Sequence, residues 1–108
     1  MPQNSVKALT LSTLNTSTLT DNYQAINTGG FAYPIFYLRI VNDSSNPITI
    51  SFDGINDHEY IVENTSFELG SQTNAQPLAQ VALFAARGVV YVKGTPSSGT
   101  VTVSGYYV

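Results

Sequence analysis

The chain has 108 residues, no cysteine, a formal net charge of −3, and charged residues at only 10%. That length fits one domain, and the missing thiols exclude disulfide staples and thiolate metal sites. The four cations, Lys7, Arg39, Arg87 and Lys93, are scattered and form no basic stripe, so no nucleic-acid partner is expected.

An average globular domain carries roughly 25% charged residues. Here polarity comes from Ser, Thr, Asn and Gln instead, while hydrophobic residues stand at 43%. A surface so poor in charge suits a protein whose faces meet neighbours. No run approaches the ~18 apolar residues that span a bilayer, so no membrane segment is expected. The stretch Met1 to Ser5 is polar, without the charged and apolar regions of a signal peptide. Together with the missing cysteines, this favours assembly in a reducing cytoplasm. Asn15, Asn42 and Asn64 head Asn-x-Ser/Thr triplets that read as compositional accidents.

In chain order, residues 1–22 read as an N-terminal arm or a first hairpin. Within them Leu9, Leu11, Leu14 and Leu19 argue that part of the segment packs. Residues 23–108 read as the body of the domain. Tyr23 to Asn27 is a short strand ended by Gly29-Gly30. Ile35 to Val41 is the clearest strand, with Phe36, Leu38 and Ile40 on one face and Ile35, Tyr37, Arg39 and Val41 on the other. Asn42 to Pro47 is a turn by composition. Ile48, Ile50 and Phe52 then alternate with Thr49 and Ser51, so the two runs read as a β-hairpin. Asp53-Gly54 ends the second strand. Glu59 to Val62 and Ser66 to Leu69 are short strands, and Gly70 to Gln76 is a polar loop. Gln80 to Ala86 fits a strand or a helical turn. Val89 to Lys93 is a strand, joined through Gly94 to Gly99 by a hairpin connection to Thr100–Val108. The predicted core is Phe36, Leu38, Ile40, Ile50, Phe52, Val90, Val92, Val101 and Val103. Roughly six to nine short strands with no long helix predict an all-β fold, an antiparallel β-sandwich or small barrel in a single domain.

Chemistry is sparse. The lone histidine, His58, lies in Asp53-Gly54-Ile55-Asn56-Asp57-His58-Glu59, the densest set of liganding groups. The spacing is not that of an EF-hand, and one histidine cannot supply the imidazoles of catalytic zinc. Turn chemistry explains each residue type: Asp and Asn bond their own backbone, and Gly accepts positive φ. No Gly-x-Ser-x-Gly elbow or phosphate-binding glycine loop is present, and the carboxylates are few and scattered. No catalytic, cofactor-binding or metal residue is therefore expected, and the chain reads as a non-enzyme. Tyr33, Tyr37, Tyr106 and Tyr107 are the residues suited to a carbohydrate or protein contact, against the plainer reading that Tyr is a good strand residue.

The stretches Leu38–Asp43, Ile48–His58, Gly88–Thr95 and Gly99–Val108 resemble small virion structural proteins of tailed bacteriophages. That resemblance implies a subunit of a phage particle, at the neck or collar, in head completion, in the tail or in capsid decoration, with neck or collar and decoration leading. It would be assembled in the host cytoplasm and act as a homo-oligomer or repeated copy beside neighbouring virion proteins. It brings no catalytic residues or cofactor. The alternative is a carbohydrate- or protein-binding β-sandwich module.

Overall fold

The computed structural model describes residues 7–70 and 85–107. Nine strand segments occur among them: β1 (Lys7–Ala8), β2 (Ser12–Asn15), β3 (Gln24–Ala25), β4 (Tyr37–Ser44), β5 (Ile48–Ser51), β6 (Glu59–Ile61), β7 (Thr65–Gly70), β8 (Tyr91–Gly94) and β9 (Gly99–Tyr107). All the pairings are antiparallel. The helical content of the described residues is one 3₁₀ turn, Thr16–Thr18, capped by the Asn15 side chain on Ser17 N at 2.9 Å.

One sheet, A, runs β1 and β2 along β9, then β4, then β7; the other, B, runs β3-β8-β5-β6. With β1 and β2 sharing one edge position, each sheet has four positions. Among the described residues the chain changes sheet at nearly every connection, and only β5 and β6 are consecutive paired neighbours. This is the strand order of a jelly roll, a two-sheet sandwich.

The core lies between the sheets and contains Leu19, Ile26, Phe31, Ile35, Ile48 and Ile61 besides most of the predicted set. Along β9, Val101, Val103 and Gly105 point inward, while Thr100, Thr102, Ser104 and Tyr106 alternate outward. Leu38, Ile40, Ile50, Val90 and Val92 are buried as predicted. Each such side chain contributes roughly 1.5–3 kcal/mol by leaving water.

Several expectations are corrected. Phe36 is only partly buried, whereas Ile35 is fully buried. Phe36 N donates to Tyr106 O at 3.0 Å while Tyr37 stands opposite Tyr106 in register, so two residues face one. That bulge breaks the alternation and turns both Ile35 and Leu38 inward. Phe52 is only partly buried, packed on the core edge with its ring stacked on His58 at 5.4 Å.

The two predicted hairpins are arches. β4 pairs with β7 and β9 and never with β5, and β8 and β9 likewise lie in different sheets. Asn42 and Asp43, assigned to a turn, belong to β4. Asn42 is buried: its amide nitrogen donates to Asn46 O at 3.0 Å and Ile61 O at 3.1 Å, and its oxygen accepts from Ser44 Oγ at 2.5 Å. One side chain thus ties sheet A to the end of β6 in sheet B and holds the β4–β5 arch.

Residues 7–22 run along β9 and over the end of the core. β1 and β2 pair with β9 rather than with each other. Leu19 is 1% exposed, Thr16 is buried, and Leu9 and Leu14 pack against the core, while Leu11 is 61% exposed. Between Ala8, opposite Tyr106, and Ser12, opposite Val103, four steps of one strand face three of the other. A second bulge therefore pushes Leu11 outward. Residues 1–6, the 71–76 part of the expected polar loop and the 80–84 part of the ambiguous segment lie outside the described residues.

Candidate functional site

The loop from Phe52 to His58 folds back over the outer face of sheet B. Val92 points into the core, so its neighbours Tyr91 and Lys93 point outward beneath the loop. Gly54 sits against the Tyr91 ring at φ +79°, where a side chain would be strained and crowded. Asp53 organises the turn. Its Oδ1 accepts from Ile55 N at 2.8 Å, Asn56 N at 2.9 Å and Ser51 Oγ at 2.8 Å, and Oδ2 accepts from Asn56 Nδ2 at 2.9 Å. These donors, led by the Asn56 and Ile55 backbone amides, hold its carboxyl far below the usual range.

His58 braces the same loop. Its Nδ1 accepts from Phe52 N at 2.9 Å, and Nε2 lies 3.9 Å from Asp53 Oδ2. Asp57 turns the other way, taking a hydrogen bond from the Tyr23 hydroxyl and an ion pair from Lys93 at 3.1 Å. Those partners lower its carboxyl pKa, the Tyr23 bond first. The Lys93 ammonium stands 4.8 Å from the Tyr23 ring. Burial, then the Asp57 bond, pushes the Tyr23 hydroxyl up to about 12. Asp53 and Asp57 are thus spent on different partners rather than aimed at one point. Among the described residues no group of three or more His, Cys, Asp or Glu is placed to hold a metal ion. The arrangement makes a preformed loop carrying an exposed Ile55.

Tyr33, Tyr37, Tyr106 and Tyr107 form two ring pairs where β4 begins and β9 ends. The Tyr33 and Tyr107 rings stack at 4.4 Å and 12°, and those of Tyr37 and Tyr106 meet at 5.6 Å. Tyr37 also donates to Glu68 Oε1 at 2.6 Å. Beside the Tyr33–Tyr107 stack a groove of about 320 Å³ opens between residues 8–12 of the edge strand and residues 27–33. Leu9, Phe31, Val103 and the two rings supply its apolar wall, beside the polar Thr10, Ser12 and Asn27. Its one buried amide, Asn27, is already used: Nδ2 donates to Gly88 O at 3.1 Å and Oδ1 accepts from Val90 N at 2.8 Å. Gly30, at φ +84°, lets the 27–33 segment lie against the Arg87 backbone. Three separate stretches build this groove, and the sequence reading singled out only its tyrosines.

The outer face of sheet A is the third feature. Thr13, Thr102, Val41 and Ser66 form one row across its four strand positions, with Asn15, Thr100 and Asp43 in another. The ion pair on this face is Arg39–Glu68 at 3.6 Å, both half-exposed, and such a pair adds little.

No protein-family profile and no curated protein matches the sequence. Among solved structures, the chain is similar to one from the work titled "Bacillus endospore appendages form a novel family of disulfide-linked pili", at a TM-score of 0.53 and 14% identity, covering 99% of this chain and 91% of that one. At that identity the likeness concerns the fold. The disulfide link named for that protein has no counterpart in these 108 residues, which contain no cysteine.

Proposed function

We propose that this chain is a non-enzymatic structural subunit that works in repeated copies, held by protein–protein contacts between neighbours. The observation that carries the reading is the outer face of sheet A, a broad strand surface of mostly Thr, Ser and Asn side chains whose charges are the Arg39–Glu68 pair and Asp43. The charges lie on β4 and β7, so the β2 and β9 side of this face, with Thr13, Asn15, Thr100, Thr102 and Ser104, has no charge to oppose close packing. The jelly-roll frame is one that capsid proteins use, as lectins do, and the structural neighbour comes from pili. Fold alone assigns no role, so these analogies add weight only to the surface argument.

The setting we propose is the particle of a tailed bacteriophage, at the neck, collar or capsid surface, as the sequence resemblance implies. The second reading, a carbohydrate- or protein-binding module, draws on the Tyr33–Tyr107 stack. Those rings already cover one face of each other, which leaves less aromatic surface for a sugar. Mass measurement of the purified protein across a concentration series, with imaging of purified particles, tests the proposal. Multimers and particle-bound copies are expected. A protein that stays monomeric at millimolar concentration and binds a glycan would transfer the weight to the second reading.

A further inference from the structure

We propose that the groove beside Tyr33 and Tyr107 receives the Ile55 loop of a second copy of this chain. This rests on the assembly reading and names a contact within it.

Ile55 is 80% exposed, the largest exposure among the large hydrophobic residues of the described chain. An apolar side chain at a flexible tip would lose conformational freedom on binding. Here Asp53 already holds the backbone on both sides, through Ile55 N and Asn56 N, so most of that ordering has occurred in folding. The groove is roomier than one branched aliphatic side chain requires, so the backbone of the loop tip can enter with it. The apolar part of its lining, Leu9, Phe31, Val103, Tyr33 and Tyr107, suits an aliphatic guest, and Thr10 and Ser12 stand beside it for the polar backbone of the loop.

Charge favours this occupant. Arg39 and Lys93 are paired with Glu68 and Asp57. The other two cations of the chain, Lys7 and Arg87, make no ion pair among the described residues; Lys7 flanks the groove, and the Arg87 backbone lies against Gly30 of its lining. Lys7 adjoins Ala8 on its wall, with Nζ 6.0 Å from the Tyr107 ring. Arg87 N donates to Phe31 O at 2.6 Å. Ile55, in turn, stands two residues after the exposed Asp53 carboxylate, while Asp57 beyond it is paired with Lys93, so the loop tip keeps a net negative charge. A knob beside the Asp53 carboxylate meets a groove beside the Lys7 ammonium, which fixes orientation more than affinity. Knob and hole are different surfaces of one chain, so the contact is head-to-tail and propagates into rings or filaments unless two copies exchange knobs reciprocally and close a dimer.

Two exposed substitutions test it in the full chain. Ile55→Asp spoils the knob and leaves the groove intact; Ala32→Trp, at the exposed mouth of the groove, plugs the hole and leaves the knob intact. Thermal melts check that both variants fold. In sedimentation velocity the wild type is expected to form multimers that grow with concentration, and each variant alone to lose the head-to-tail step. An equimolar mixture of the two should then give heterodimers through the one intact knob and the one intact groove, with no further growth along that axis. Lys7→Glu should weaken the wild-type association by about fivefold or less and flatten its salt dependence. If the wild type multimerises and Ile55→Asp does so equally, the contact is wrong while the assembly reading survives. If only Ala32→Trp has an effect, the groove holds some other guest and the proposal falls. A wild type that remains monomeric at every concentration removes both readings.

Discussion

Asn42 shows how much one polar side chain decides. It is fully buried on β4, where a strand facing the core ordinarily carries Val or Ile, yet its amide satisfies carbonyls of the β4–β5 arch and the end of β6. Replacing it with Ala strands those carbonyls and leaves a small void. Asn42→Ala should cost about 2–3 kcal/mol, read as a lower urea midpoint at unchanged slope. Asp53 acts instead through pH. Its folded pKa is depressed below the ordinary 3.8, so its contribution is complete above that value and is lost as pH falls through the folded pKa. Asp57, depressed as well, adds in the same direction. Stability should therefore decline below about pH 4, and Asp53→Asn should flatten that acid limb. Urea midpoints measured between pH 7 and 2 check it; an unchanged acid limb in the variant would place the titrating groups elsewhere.

At the scale of elements, the first strand is the informative one. Deleting residues 2–20 removes the strand from the edge of β9 and takes Leu19 and Thr16 out of the interior. The truncated chain should lose cooperative unfolding, or melt at least ten degrees lower by calorimetry, since several buried groups go together. A truncated domain with the parental melt would instead make the segment an arm. Strands were legible in the sequence wherever alternation was clean, as in β5 and β9. Their partners were not. A polar connection the length of residues 45–47 can close a hairpin or carry the chain across to the other sheet, and only packing decides, here through Asn42. The bulge at Phe36 was hidden for a related reason: Ile35 and Leu38 both face inward because Tyr106 lies opposite two residues, a property of the pairing. The Asp53 turn could be read from local chemistry, whereas the groove joins residues near 10, 30 and 105 and leaves no local signal.

At the scale of the whole molecule, the sandwich offers two kinds of contact surface that need not act together. The knob and groove would link copies head to tail, while the outer face of sheet A would pack such rows side by side. Thr102 is central to that face, between Thr13 on one side and Val41 on the other. It points away from the core, so Thr102→Lys should change the stability of the isolated domain by no more than about 0.5 kcal/mol. In a face-to-face contact the same ammonium would be buried without a partner, at a cost of several kcal/mol. The expected outcome is selective: by negative-stain imaging, Thr102→Lys should leave thin single rows where the wild type forms thicker or closed assemblies, and Thr102→Ser should behave as wild type. Combining Thr102→Lys with Ile55→Asp should leave monomers. Wild-type thickness in Thr102→Lys would mean that the sheet A face stays open to solvent in the assembly, and lateral contacts would then have to come from the remaining edges and loops.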